Sequence, residues 1–198
     1  MNRGKQASLR PRVEGEREAQ VLDAAIALLA RVGYDKMTMD AIATEAKAGK
    51  ATLYRRWSTK SSLVVDAILR SKRALQVPDV DTGTLRGDLI AMACADGGIS
   101  DERSAQVMAG IITALHHDPD FAEEFRTRVV GPKVEASRAV FQRARGRGEV
   151  TADLDLDLLS PALGAIIMHR SFVLGLPADE KTVTQVVDEI ILPAATRR

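Results

Sequence analysis

Apolar positions recur at helical spacing along almost the whole chain. In residues 14–32 they fall at Val21, Leu22, Ala25, Ile26, Leu28, Leu29 and Val32, the i, i+3, i+4, i+7 stripe of an amphipathic helix, and Gly33 supplies a C-terminal stop. Two short segments follow: 38–46, with Ile42, Ala43 and Ala46 inward, and 50–57, with Leu53 and Trp57 inward. Neither is long enough to hold a helix alone, so both are expected to pack on the first. Ser58 or Thr59 caps a longer helix through Leu63, Val64, Ala67, Ile68 and Leu75 that ends before Pro78. Residues 77–84 have the composition of a loop. Beyond them the pattern predicts helices near 84–96, 101–117, 119–130, 132–146, 155–174 and 179–192, with Pro119, Pro132, Pro161 and Pro177 at or close to helix starts. Period-two alternation occurs only at 150–158, where T-A-D-L-D-L-D-L reads as a loop entering a helix, with Asp153, Asp155 and Asp157 near its positive end. The predicted fold is all-α, a three-helix helix-turn-helix domain plus a larger helical domain, about nine helices in all.

At 198 residues and 45% hydrophobic content the chain can bury a core and fits one or two domains. A single cysteine, Cys94, excludes an internal disulfide framework and a Cys-rich metal site, and suits a reducing compartment, so the cytoplasm is expected. The longest uncharged apolar stretch, 158–169, has 12 residues against the roughly 20 that span a bilayer, so no membrane partner is expected. The first 20 residues lack the apolar core of a secretion signal. A net charge of +1 looks unpromising for a nucleic-acid binder, but it is an average. Residues 1–60 carry 12 Lys/Arg against 7 Asp/Glu, a net of +5, and residues 61–198 carry 16 against 20, a net of −4. Arg3, Lys5, Arg10 and Arg12 precede any apolar periodicity and read as a flexible basic arm, either following phosphates or a minor groove or merely solubilising the chain.

Two short helices joined by about four residues, the second bearing polar and basic groups, form the helix-turn-helix arrangement whose second helix enters a major groove. Packing Ile42, Ala43, Ala46, Ala48 and Leu53 inward leaves Thr38, Lys47, Lys50, Thr52, Tyr54 and Arg55 outward. Lys47, Lys50 and Arg55 supply charge for phosphates, and Thr38, Thr52 and Tyr54 supply hydroxyls for phosphate oxygens or base edges. Lys60 stands at the first turn of the next helix, whose free N–H groups add an anion site. The blander reading of this surface is a solvated helical face. Trp57 reads as core, wedged between helices, not as a base-stacking residue.

The run V-L-D-A-A-I-A-L-L-A-R-V-G-Y-D-K-M-T-M-D-A-I-A-T-E-A-K-A-G-K-A-T-L-Y-R-R-W-S-T-K-S-S-L, residues 21–63, resembles the DNA-binding domain of the tetracycline-repressor (TetR) family of bacterial regulators. That resemblance implies DNA contacts at Thr38, Lys50, Ala51, Thr52, Tyr54, Arg55 and Lys60, with Tyr54 and Lys60 as phosphate anchors. Two departures stand out. Lys47 occupies the turn where the family usually has glycine, which costs energy if the turn needs positive φ, and in exchange Lys47 is a candidate phosphate contact. Gly49 stands where the family often has a serine N-cap. The implied organisation is a basic arm at 1–13, a DNA-binding domain at 14–58 with the helix-turn-helix at about 38–57, a linking helix at 59–76, and a regulatory and dimerisation domain at 77–198.

In the last of these, Val183, Val186, Val187, Ile190 and Ile191 make an apolar stripe with nothing after it to cover it, and 155–174 is apolar almost all round. Leu159, Leu163, Ile166, Val183, Val187 and Ile190 are therefore candidates for a homodimer interface, the bland alternative being packing within the chain. Met92, Met108, Ile112, Phe125, Met168 and Phe172 are candidates to line a small-molecule effector pocket, or simply fill the core. No cofactor and no metal are expected: Asp153, Asp155 and Asp157 have the 1-3-5 spacing of a calcium loop, but Leu158 and Gly164 stand where it needs Gly and Glu. The functional expectation is a repressor released from a palindromic operator by a small molecule. The alternatives are an activator on the same scaffold, or a small helical metal-dependent enzyme built on His116, His117 and Asp118, which lacks a second ligand cluster.

Overall fold

The computed structural model describes residues 9–71, 80–95 and 102–196, and all regular structure among them is helical. The elements are α1 (Leu9–Lys36), α2 (Met39–Glu45), α3 (Lys50–Arg56), α4 (Lys60–Ser71), α5 (Leu85–Ala95), α6 (Glu102–His117), α7 (Pro119–Phe125), α8 (Gly131–Gly146), α9 (Leu156–Leu159), α10 (Ala162–Met168), α11 (Glu180–Val186) and α12 (Leu192–Thr196). Three π-helical turns extend or join some of these: Arg126–Val130 links α7 to α8, His169–Val173 lengthens α10, and Val187–Ile191 links α11 to α12, so the described residues form ten continuous helical runs.

Local departures from expectation have local causes. Of the expected flexible arm, Arg3 and Lys5 lie outside the described residues, but α1 already begins at Leu9, because Pro11 falls in its first turn, where a missing N–H is tolerated. Leu75 and Pro78 also lie outside the described residues. Gly33 does interrupt α1, with φ 76° and ψ 168°, before a last turn to Lys36. The separate helices expected at 119–130 and 132–146 are one run, in which the wide turn Arg126–Val130 takes up the clash that the Pro132 ring would make with the carbonyl four residues back. Of the three aspartates expected near the start of this helix, Asp155 is its N-cap, accepting from the Asp157 and Leu158 amides at 2.9 and 3.2 Å.

The chain divides into two compact units, residues 1–71 with 106–125, and residues 72–105 with 126–198. This departs from the expected boundary, which assigned everything after residue 76 to the second domain. The cause is specific packing by α6 and α7. Gly110 lies so close to α1 that a Cβ there would stand 2.8 Å from Leu29 Cδ1. Phe121, fully buried, meets the Tyr34 ring at a centroid distance of 4.9 Å and stacks on Phe125. The first unit therefore gains Asp118, Asp120, Glu123 and Glu124, and holds 13 Lys/Arg against 12 Asp/Glu, so the +5 of residues 1–60 belongs to a surface and not to the unit.

The second unit packs Leu85, Leu89, Val140, Phe141, Leu156, Leu163, Val183, Val187 and Ile191 into one core. Beside it runs a charged clasp: Arg147, just past α8, reaches Asp88 at 3.1 Å and Glu149 at 2.5 Å, and Asp88, fully buried, also accepts from the Thr82 amide and hydroxyl at 2.6 and 2.8 Å. Burial alone would raise the Asp88 carboxyl, but the Thr82 and Arg147 donors hold it below the usual carboxylate range. Two more arginines in the last turn of α8, Arg143 and Arg145, donate to the carbonyls of Val80 and Leu154.

Among the described residues one stretch, Leu156–Val173, is long and apolar enough by length and composition to cross a membrane. It includes Asp157 and Arg170, and its Leu163 is buried in the core of the second unit.

Candidate nucleic-acid interface

The site is built on α2, the turn after it, and α3. Thr38 has extended backbone and caps α2 by accepting from the Ala41 amide at 3.1 Å. Past Ala46 the chain turns through Lys47, whose φ of 50° makes it the sole non-glycine with positive φ among the described residues. The Lys47 amide donates to the Thr44 carbonyl at 3.1 Å and the Ala48 amide to the Ala43 carbonyl at 2.8 Å, the paired bonds of a Schellman cap. The same cap ends α8, with glycine in the left-handed position: Gly148 has φ 76°, and the Gly148 and Glu149 amides donate at 3.0 Å to the Arg145 and Ala144 carbonyls. The positive φ anticipated for Lys47 is thus present, at a cost of about 1 kcal/mol relative to glycine. Arg17 of α1 braces the turn by donating to the Lys47 carbonyl at 2.7 Å. Nothing in the local sequence signals that bond, because its partners stand 30 residues apart.

Gly49 precedes α3 with extended backbone and provides no side-chain cap. Leu53 is fully buried and Trp57, which ends the helix, is nearly so, with Nε1 donating to Asp66 at 2.8 Å. Trp57 is core, as read. The opposite face carries Lys50, Ala51, Thr52, Tyr54 and Arg55, all exposed, with Tyr54 at 54%. Thr38 and Lys47 are exposed on the same unit, so the structure leaves seven of the eight expected DNA-contacting side chains at the surface. Lys50 is paired with Asp40 of α2 at 2.6 Å, which raises its pKa through the hydrogen bond first and the charge second. Further ion pairs tie the elements together, Arg31 to Glu45 at 2.6 Å and Arg56 to Glu18 at 3.1 Å.

Lys60 is the exception. At the start of α4, under the cap that Thr59 makes to the Ser62 amide, its Nζ turns inward, donating to the Tyr34 carbonyl at 3.1 Å and lying 3.8 Å from the centre of the Tyr34 ring. Burial holds its pKa below that of a free lysine, against the pull of the Asp118 and Asp35 carboxylates.

The other expected sites are redistributed. Met108, Ile112 and Phe125 lie in the first unit, and Met92, Met168 and Phe172 in the second. Phe125 is committed to the aromatic stack on Phe121, and Ile112 and Met168 are exposed. A groove of about 370 Å³ lies between the end of α1 and α6, where Leu29, Tyr34, Asp35, Gln106, Gly110 and Thr113 are among its lining, and it includes none of the six. Of the interface candidates, Leu163, Val183 and Val187 are buried in the core of their own unit, which corrects their expected availability to a partner. Leu159 and Ile166 pack partly against that core, and Ile190 is 49% exposed. Leu158, at 73%, and Val173, at 69%, are more exposed still. His116, His117 and Asp118 do not converge on a common point: His117 meets Asp35 at 3.1 Å, and Asp118 accepts from the Tyr34 hydroxyl at 2.6 Å and the Phe121 amide at 3.0 Å.

A short helix fixed through a capped turn to a second one, its outer face polar, basic and free, defines a helix-turn-helix DNA-binding protein. Residues 21–67 match the bacterial regulatory proteins of the tetR family, and residues 79–190 match the tetracyclin repressor-like C-terminal domain. The chain belongs to the TetR family of transcriptional regulators. It is 34% identical over 176 residues to the DNA-binding transcriptional repressor TetR of Mycobacteroides abscessus, covering 89% of this chain and 92% of that protein. It is 32% identical to the HTH-type transcriptional regulator YdeS of Bacillus subtilis, with 90% and 89% covered. Among solved structures, the TetR family transcription regulator SCO0332 superposes with a TM-score of 0.66 at 27% identity, covering 92% of this chain and all of that one. These relatives are regulators of transcription, not enzymes.

Proposed function

We propose that this regulator is a cytoplasmic homodimeric repressor that leaves a palindromic operator when a small molecule binds its larger helical domain. The observation that carries the DNA half of this reading is the free face of α3. Lys50, Ala51, Thr52, Tyr54 and Arg55 stand out from a helix whose other face is locked by Leu53 and Trp57. On this reading Tyr54, Arg55, Lys47 and Lys50 bond phosphates and set register, and Ala51 and Thr52 face base edges. Two such helices, one per subunit, enter successive major grooves about 34–36 Å apart.

Dimerisation is supported by the uncovered apolar residues Leu158, Met168, Val173, Leu174, Leu176 and Ile190, all in the second unit. The half-buried Met92 and Phe172 of that unit are the strongest remaining candidates to touch an effector. Selection of duplexes from a random pool by the purified protein tests the reading directly. Enrichment of an inverted repeat with half-sites one helical turn apart is expected, with affinity falling steeply as salt rises. Recovery of no preferred sequence would overturn it.

A further inference from the structure

Tyr34 is the meeting point of three elements of the first unit. Its hydroxyl donates to Asp118, in the turn between α6 and α7, at 2.6 Å. Its ring packs on Phe121 of α7. Its carbonyl and ring face hold the Lys60 ammonium at the start of α4, at 3.1 and 3.8 Å. Lys60 is thus the one expected phosphate contact that is partly buried, its ammonium held against Tyr34. The dock satisfies it incompletely, because an ammonium has three donors and Tyr34 presents one oxygen and a π face. A phosphate offers a full negative charge and several acceptor oxygens.

We propose that Lys60 is a two-position ammonium, docked on Tyr34 in the DNA-free protein and transferred to a phosphate in the complex, and that Asp118 is the positioning residue that sets the balance. Asp118 acts in two ways. Through the hydroxyl it fixes the ring beneath the ammonium, and its carboxylate attracts the docked charge. The donors it accepts, the Tyr34 hydroxyl and the Phe121 and Asp120 amides, are all neutral, so Lys60 is the positive charge that acts on it. The inference rests on the reading of Lys60 as a phosphate contact.

The test combines Asp118→Asn and Lys60→Gln, singly and together, with affinity measured over a salt series for the selected operator and for a scrambled duplex of equal length. Asparagine keeps one acceptor oxygen for the Phe121 amide and turns its NH2 towards the Tyr34 hydroxyl, which can accept as well as donate, so the ring stays tied while the charge is removed. Asp118→Asn is expected to raise affinity for both duplexes about threefold or more at low salt, leaving their ratio unchanged. Lys60→Gln is expected to lower both and to reduce the salt slope by about one. In the Lys60→Gln background, Asp118→Asn should change affinity less than about twofold, the coupling that a merely structural role does not produce. An equal effect of Asp118→Asn in both backgrounds, or a loss of affinity, overturns the role of Asp118. A salt slope unchanged by Lys60→Gln removes Lys60 from the DNA contact altogether, and the two-position proposal with it.

Discussion

Recognition helix α3 and the C-terminal run 180–196 pose the same question in sequence, since each has a face that local packing does not obviously use. The chain answers it in opposite ways. The outer face of α3 stays free, because Lys50, Thr52, Tyr54 and Arg55 are polar and nothing apolar is gained by covering them. The stripe of 180–196 is consumed: Val183, Val186, Val187 and Ile191 are buried in the core of their own unit, packed on α5 and α10, leaving Ile190 outside. A polar face is stable wherever water reaches it, whereas an apolar stripe takes whatever cover is nearest. A predicted apolar face therefore states that a partner exists, and not which one.

The contrast can be broken at its strongest point first. Val187→Asp places a charge in a fully buried site and should unfold the second unit, at about 4 kcal/mol or more, while Ile190→Asp, three residues on, should change the stability of the folded chain itself by no more than about 0.5 kcal/mol, any larger fall in thermal unfolding coming from loss of the dimer. If Ile190 lies in the dimer interface, sedimentation will show the second variant as a monomer. Next is the clasp at Asp88, where Asp88→Asn should cost about 2 kcal/mol near neutral pH. Because its folded pKa lies below the unfolded value of about 3.9, the Asp88 carboxylate contributes stability that is present above pH ~4 and lost as pH falls through the folded pKa. Acid unfolding of Asp88→Asn should accordingly be shallower than that of the parent over this range.

On α3 the two faces should separate cleanly. Trp57→Phe removes the bond to Asp66 and should lower stability by about 1 kcal/mol, read by chemical denaturation. Tyr54→Phe should leave stability alone and weaken every duplex about fivefold in a gel-shift titration, whereas changes at Ala51 or Thr52 should alter which duplex is preferred. The smallest effect is expected at Lys47→Gly. Relief of the left-handed backbone is largely offset by the entropy of glycine in the unfolded chain, leaving a gain of about 0.5 kcal/mol. A simultaneous fall of about one in the salt slope would mark Lys47 as a phosphate contact.

What was legible in the sequence follows the same division. The helices, the buried Trp57 and the strained turn at Lys47 could all be read, because each is decided by residues within a few positions. The inward turn of Lys60, the brace from Arg17 and the recruitment of α6 and α7 to the first unit could not. They depend on partners 26, 30 and 84 residues away, the last through Tyr34 and Asp118, and no periodicity encodes such distances. The effector candidates are spread over both units for a related reason: apolar residues on neighbouring helices look alike whether they line a cavity or fill a core, as Phe125 does.

One further consequence lies in how charge is laid out along α1. Arg56 at the end of the recognition helix is tied to Glu18, while the acidic α7 packs on Tyr34, 16 residues further along, or about 24 Å at helical rise. With nearly equal numbers of positive and negative groups, this unit behaves in the field of a duplex as a dipole and not as a net charge. A dipole feels torque before it feels much attraction. A molecule drifting towards DNA is turned to present α3 and withdraw α7, so added salt should slow productive docking mainly by relaxing this alignment.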